Sequence, residues 1–177
     1  MTDAVKKVAI IATDYFEEVE LTSPMDDLQA AGAVVEVLAP HEGSIKGLHH
    51  VEPGKSISVT RTIAEADPDD YDAVVLPGGV VNADKLRMDE DARRFVRAML
   101  KAGKPVAAIC HAPWLLVSAG LVRDMQLTSY YTLQDDIRNA GGSWQDKEVV
   151  VDGTLVTSRK PDDLPAFNAA MRRVLGL

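Results

Sequence analysis

Short apolar runs alternate with helix-period stretches along the whole chain. Residues 5–13 form an apolar run bounded by polar residues, the pattern of a strand buried on both faces. In residues 19–31, Leu21, Met25, Leu28 and Ala31 recur at helical spacing until Gly32 ends the run. Further buried strands are predicted over 34–40, over 71–76 ahead of Pro77-Gly78-Gly79, and over 105–109. Helices are predicted over 89–102, with an acidic first turn and Gly103 as its stop, over 114–119 up to Gly120, and over 132–140 before Gly141-Gly142. Residues 41–62 break the rhythm. They are rich in Gly, His, Lys and Ser, with short alternations such as Ser56-Ile57-Ser58-Val59, and read as a hairpin excursion. Residues 148–158 read as a hairpin turning at Asp152-Gly153, and 161–175 as a closing amphipathic helix with Pro161 at its start.

Strands alternating with helices of this length predict an α/β fold of the flavodoxin-like class. It is a three-layer sandwich with a mainly parallel sheet and helices on both faces. No linker, repeat or low-complexity stretch interrupts residues 1–177, so one domain is expected. In such sheets ligands bind outside the carboxyl ends of the strands. Residues 13–20, 77–84 and 110–111 each follow a predicted strand, and the topology directs all three to one crevice.

Composition narrows the possible partners. Hydrophobic residues make up 46% and charged residues 26%, ordinary for a globular protein. The net charge of −8 supplies no basic face for nucleic acid and no attraction to an anionic membrane surface. A single cysteine cannot form an internal disulfide, and no Cys/His spacing matches a zinc site, so no metal or cofactor is expected. No apolar run is long enough to span a bilayer, and Met1-Thr2-Asp3-Ala4 lacks the features of a signal peptide. The expected location is the cytoplasm.

The one cysteine stands where chemistry is expected. Val106-Ala107-Ala108-Ile109 leads into Cys110-His111-Ala112-Pro113-Trp114. A strand running through a sharp turn into a helix is the layout of a nucleophile elbow. Backbone N–H groups at the helix start would favour thiolate over thiol. The alternative is a buried structural cysteine, since free cysteine is among the most buried residue types. Neighbours in an elbow point apart, so adjacency alone does not make His111 the base of Cys110. Pro77-Gly78-Gly79 is either an ordinary turn or a place where backbone N–H groups meet a developing oxyanion. Glu17, Glu18 and Glu20 either complement the helix dipole or bring carboxyl groups to the crevice mouth. A carboxyl close to the sulfur would rise in pKa through burial and like charge and could carry a proton. His41, His49 and His50 read as a solvated or interface loop, and Trp114 as helix packing or a wall beside the cysteine. No histidine follows His111, which excludes a triad of the order nucleophile then distant His, as in class I glutamine amidotransferases.

Ala108-Ile109-Cys110-His111-Ala112-Pro113, Leu76-Pro77-Gly78-Gly79, Phe16-Glu17-Glu18-Val19-Glu20-Leu21 and the tail from Val150 through Thr157-Ser158-Arg159-Lys160-Pro161-Asp162-Asp163-Leu164 occur in this order. Together they resemble the PfpI-type intracellular protease family. That family lies within the superfamily of the Parkinsonism-associated deglycase and glyoxalase III, which has a class I glutamine amidotransferase-like fold. The likeness runs from about residue 5 to 175. It implies that Cys110 is the nucleophile and that Glu20 hydrogen-bonds the sulfur through a protonated carboxyl. It also implies Glu17 at the pocket mouth, Gly78, Gly79 and His111 as oxyanion donors, and Tyr130 at the rim. In the PfpI-type branch a Glu from a neighbouring subunit completes a Cys-His-Glu arrangement. Here Asp84 is the best-aligned residue, one methylene shorter and behind an apparent one-residue insertion. The resemblance further implies a homo-oligomer, a dimer or a hexamer built from dimers. Three functions follow as expectations. The first is a stress-linked, cofactor-independent cysteine enzyme of glyoxalase III or deglycase type acting on small reactive carbonyls. The second is an intracellular cysteine peptidase with an intersubunit Cys110-His111-Asp84 arrangement. The third is a non-enzymatic oxidative-stress sensor or chaperone.

Overall fold

The computed structural model describes residues 5–177. Its centre is a seven-stranded sheet. In chain order the core strands are β1 (Lys7–Ile11), β3 (Val34–Ala39), β7 (Ala73–Leu76), β8 (Val106–Ile109) and β12 (Leu155–Ser158). Two edge strands flank them, β6 (Arg61–Thr62) beside β3 and β11 (Val149–Asp152) beside β12. The spatial order is β11-β12-β8-β7-β1-β3-β6, parallel throughout except for β11. Taking the five core strands alone, the order is second, first, third, fourth, fifth, the flavodoxin-like arrangement expected from the alternation. Strands β7 and β8 are fully buried, which is why they appear in the sequence as unbroken apolar runs.

Helices cover both faces. On one side α1 (Glu18–Ala30) and α6 (Leu164–Leu175) pack Leu21, Leu28, Phe167 and Met171 against Val8, Ile10, Val75 and Ile109. On the other lie α2 (Val80–Leu86), α3 (Glu90–Lys101), α4 (Pro113–Ser118) and α5 (Gln134–Asn139). They bring Leu86, Phe95, Met99, Leu116 and Ile137 onto Ala9, Ile11, Val74 and Ala108. Alternate residues of β1 therefore serve opposite cores, as the period of a strand requires.

Several boundaries differ from the pattern for local reasons. Asp89 caps α3 by accepting the Ala92 N–H at 2.8 Å, so the helix proper begins one residue later than predicted. The helix expected over 132–140 starts as a single 3-10 turn at Tyr131–Leu133, and only Gln134–Asn139 is α-helical. The closing helix likewise opens with a 3-10 turn at Pro161–Asp163. Helix α2 was hidden because its seven residues follow directly on the Pro-Gly-Gly turn and are too few to show a period. The excursion at 41–62 forms β4 (Ser44–His49) and β5 (Glu52–Ser58), which pair with β2 (Phe16–Glu17) as a small second sheet before β6 rejoins the main one. A two-stranded pair, β9 (Gln126–Leu127) and β10 (Ser143–Trp144), completes the chain. Among the described residues no helix is long and apolar enough to cross a membrane.

Candidate active site

The loops after β1, β7 and β8 meet beyond the carboxyl ends of the sheet, next to its switch point. They open into a cavity of about 930 Å3 lined by Glu17, Glu20, Gly79, Cys110, His111 and Tyr130, among others. Cys110 sits directly after β8 with a φ of 64°. A left-handed backbone at a side-chain-bearing residue costs about 1–3 kcal/mol. Two hydrogen bonds hold it there. The Cys110 N–H donates to Ser158 O at 3.0 Å, and Tyr130 N–H donates to Cys110 O at 2.7 Å. Strand β12 and the Tyr130 segment thus clamp the elbow from both sides.

His111 reaches the sulfur after all. Its Nδ1 stands 3.2 Å from Cys110 Sγ, although elbow neighbours were expected to diverge. The ring turns back because it is locked from outside. Tyr130 stacks on it at 4.7 Å and 25°, and Trp114 meets it edge-on at 5.4 Å. Trp114 is therefore a wall for the histidine, its indole N–H donating to Asp136 Oδ2 at 3.0 Å. His111 Nε2 faces only Thr132 Oγ1, at 3.5 Å. Burial lowers the imidazole pKa to about 4, so the ring is neutral at pH 7.

Glu20 is wholly enclosed at the first turn of α1. Its Oε2 accepts the Gly78 N–H at 2.8 Å, while Oε1 is buried with no hydrogen-bond partner. Burial, opposed by the Gly78 N–H and reinforced by the charge of Glu17, raises its pKa to about 8. The raised pKa favours a protonated carboxyl at neutral pH, and Oε1 is the oxygen left free to carry the proton. The Cys110 side chain interacts with this carboxyl and each perturbs the other's titration. The expectation that the elbow favours thiolate is corrected here. Burial pushes the Cys110 thiol well above its usual value, and an ionised Glu20 would push it further. The N–H groups of Gly79 and His111 act in the opposite sense without overcoming burial.

The oxyanion set needs a second correction. Gly78 N–H is taken by Glu20, which leaves the Gly79 and His111 N–H groups directed at the cysteine. Neither glycine can be replaced without displacement. A Cβ on Gly78 would overlap Glu20 Oε2 and lie 2.7 Å from Cys110 Cβ, and one on Gly79 (φ 93°) would lie 2.7 Å from Glu17 N. Glu17 lines the cavity but accepts the His50 N–H, at 3.1 Å through Oε2, so it anchors the β4–β5 hairpin tip. Glu18 does the same from outside, accepting Lys55 N–H at 2.5 Å and pairing with His49 Nε2 at 3.3 Å. His41 pairs with Asp14 Oδ2 at 3.3 Å. Tyr130 stands at the rim as placed. Asp84 does not join the others: it is exposed on α2, outside the residues lining the cavity. Among the described residues no three His, Cys, Asp or Glu side chains are grouped to hold a metal ion. Sequence reasoning missed Thr132, Ser158 and the fully buried Asn82. Ser158 stands within the tail motif, but the contact each of the three makes joins residues far apart in the chain, and no pattern along one sequence displays it.

A family model described as the DJ-1/PfpI family matches residues 6–173. The chain belongs to this family. Its curated relatives include "Protein/nucleic acid deglycase 2" of Escherichia coli, 44% identical over 97% of this chain and 98% of that one. They also include "Putative cysteine protease YraA" of Bacillus subtilis, 39% identical over 92% of this chain and 94% of that one. A two-domain Anabaena variabilis protein with DJ-1/ThiJ/PfpI-like and ferritin-like domains superposes with a TM-score of 0.92 at 38% identity. That alignment covers 97% of this chain and 48% of the other, so this chain spans about half of it. The names given to DJ-1/PfpI relatives thus divide between deglycation and proteolysis.

Proposed function

We propose that this DJ-1/PfpI protein is a cofactor-independent cysteine enzyme that converts small reactive carbonyls, with methylglyoxal as the test substrate, in the manner of a glyoxalase III or deglycase. The observation that carries the reading is the pairing of a protonated, buried Glu20 with Cys110 beside a neutral His111. Peptide hydrolysis does not need a carboxylic acid held at the sulfur. Moving a proton between adjacent carbons needs an acid–base group beside the reacting carbon, and Glu20 supplies one.

The steps balance as follows. Cys110 S attacks the aldehyde carbon, its thiol proton passes to His111 Nδ1, and Glu20 gives its proton to the aldehyde oxygen, forming a hemithioacetal. The Glu20 carboxylate removes the C1 proton. The electron pair forms a C1–C2 double bond, and the ketone oxygen takes the proton held by His111. Glu20 then delivers its proton to C2 and recovers one from the C1 hydroxyl, leaving a thioester. Water cleaves the C–S bond, releasing lactate and the thiol. The Gly79 and His111 N–H groups are the donors left to stabilise the oxygen that carries charge in the last step. The test is conversion of methylglyoxal to lactate without glutathione in deuterium oxide. Lactate is expected, with the hydrogen at C2 divided between protium and deuterium according to how far the enclosed Glu20 exchanges before it delivers the proton. Absence of turnover would remove this reading.

One observation favours peptidase chemistry as a second reading. Among the described residues His111 Nε2 meets only the Thr132 hydroxyl, so in this reading the carboxylate that polarises the ring comes from another copy. Asp84 is the candidate, since it is exposed on the helix that begins at the cavity mouth with Val80 and Val81. This reading requires a homo-oligomer. Asp84→Ala is then expected to lower cleavage of fluorogenic peptides about tenfold or more without changing particle mass by light scattering. Unchanged cleavage by the variant would end the intersubunit arrangement.

A further inference from the structure

Asn82 is 0% exposed, at the first turn of α2, and touches no part of the cavity. All of its hydrogen bonds go to backbone. Oδ1 accepts the Thr13 N–H at 2.7 Å, just beyond the end of β1. Nδ2 donates to two successive carbonyls, Pro77 O at 3.0 Å and Gly78 O at 3.0 Å. Gly78 O is gripped from another side by the Glu17 N–H at 3.2 Å. Only this orientation of the carboxamide satisfies all three contacts, since its partners are one donor and two acceptors.

The consequence comes from the planarity of the peptide bond. In a trans peptide the C=O and the following N–H lie in one plane and point in opposite directions. Fixing the Pro77 carbonyl therefore aims the Gly78 N–H, which donates to Glu20 Oε2 at 2.8 Å. Fixing the Gly78 carbonyl aims the Gly79 N–H, in a turn packed so closely on Cys110 that a Cβ on Gly78 would lie 2.7 Å from the cysteine Cβ, and this N–H favours the ionised sulfur. Both peptides involve glycine, the residue with the least conformational restraint of its own, and Gly79 adopts a φ of 93°. Something outside the turn has to hold it. We infer that Asn82 is the positioning residue of this site: one carboxamide, by clamping two successive carbonyls, orients the backbone N–H that holds the Glu20 carboxyl and the backbone N–H that serves the Cys110 sulfur.

The inference rests on Cys110 as the reacting group and not on its substrate, so the test uses the thiol alone. Cys110 is the only cysteine in the chain, and iodoacetamide alkylation therefore reads one group. In Asn82→Ala the Gly79 N–H is no longer held at the sulfur. The pH profile of alkylation is expected to move up by about one unit, which makes the reaction about tenfold slower throughout the range below the thiol's raised pKa. Asn168→Ala serves as the control for lost stability alone. Asn168 is also buried, donating to Ser23 Oγ at 3.0 Å, and lies on α6 away from the elbow. Its variant is expected to melt earlier while keeping the wild-type profile. If Asn82→Ala does not fold, Asn82→Ser keeps one donor and one acceptor, and a smaller shift in the same direction is expected. A folded Asn82 variant whose alkylation profile is unchanged or lower overturns the inference. So does an equal shift in Asn168→Ala.

Discussion

Cys110→Ala is expected to lower glutathione-free methylglyoxal turnover by at least about a thousandfold, with the fold intact. The sulfur makes the first covalent bond in the proposed sequence, and no second thiol in the chain can substitute for it. His111 is stacked against Tyr130 with Nδ1 turned toward the position of the sulfur, so it presents no free nucleophile to the same aldehyde. The change removes one polarizable atom at the edge of the core cluster that contains Ile109 and Val156. Cys110→Ser is the sharper comparison, because it keeps a donor and an acceptor at the same place. A hydroxyl is far less nucleophilic than a thiol, and a neutral imidazole with no carboxylate behind it activates it weakly. Serine is therefore expected to be nearly as inactive as alanine. The measurement is loss of methylglyoxal and formation of lactate by wild type and both variants, with circular dichroism on the same samples. Activity retained by either variant would move the chemistry away from Cys110.

The second large effect is expected at Glu20, in activity and in stability. Its pKa of about 8 lies above the ordinary value, so the folded state holds a proton that the unfolded chain releases. The contribution is present below pH 4.5 and is lost as pH rises through 8. Wherever the folded state binds more protons, stability falls with rising pH, here by up to about 1.4 kcal/mol per unit. His111 acts in the opposite direction. Its pKa is lowered to about 4, so between there and 6.5 the unfolded state binds the extra proton and stability rises with pH. The two opposed slopes largely cancel between pH 4.5 and 6.5, and the Glu20 slope is left alone between 6.5 and 8. Urea unfolding of wild type is expected to show a plateau followed by a loss of about 2 kcal/mol across the upper window. Glu20→Gln cannot ionise, and its curve is expected to rise to pH 6.5 and then stay flat. The same variant still accepts from Gly78 and offers an N–H to the sulfur, yet it has no proton to exchange with carbon. Its kcat is expected to fall about 100-fold or more while the protein becomes more stable at pH 8. Parallel stability curves for the two proteins from pH 6.5 to 8 would mean that Glu20 is ionised in the native state.

Higher stability with lower activity at one position is the mark of a group kept in an unfavourable environment for use. Burying a carboxyl with an unpaired oxygen costs free energy, and the core around α1 has room for a neutral side chain at that point. The elbow has the same character. Cys110 occupies a left-handed backbone that two hydrogen bonds maintain, one from the loop after β9 and one to the end of β12. Both unfavourable features lie within one crevice, next to the place where the strand order reverses.

The family and its layered fold could be read from the chain directly. Fully buried strands such as β7 and β8 leave unbroken apolar runs, and amphipathic helices such as α3 leave a period, because burial is imposed residue by residue along a regular element. The cysteine at the end of such a run, and the glycines at the end of another, were legible for the same reason: strand ends of a doubly wound sheet converge. What the sequence could not contain is any relation decided by distance across the fold. Glu20 and Gly78 are 58 positions apart, and Thr13 and Asn82 are 69 apart. Only packing shows that one oxygen of Glu20 takes the Gly78 N–H and that the other is left to hold a proton. Only packing turns the His111 ring back onto Cys110. The protonation states follow the same rule, since they depend on how much water each group loses, and desolvation is a property of the assembled interior. The sequence by itself determined the fold and the place of its one cysteine at the end of a buried strand. The tertiary structure decided which groups carry the protons and which N–H groups face the sulfur, because both depend on contacts that exist only once the loops after β1, β7 and β8 are closed together.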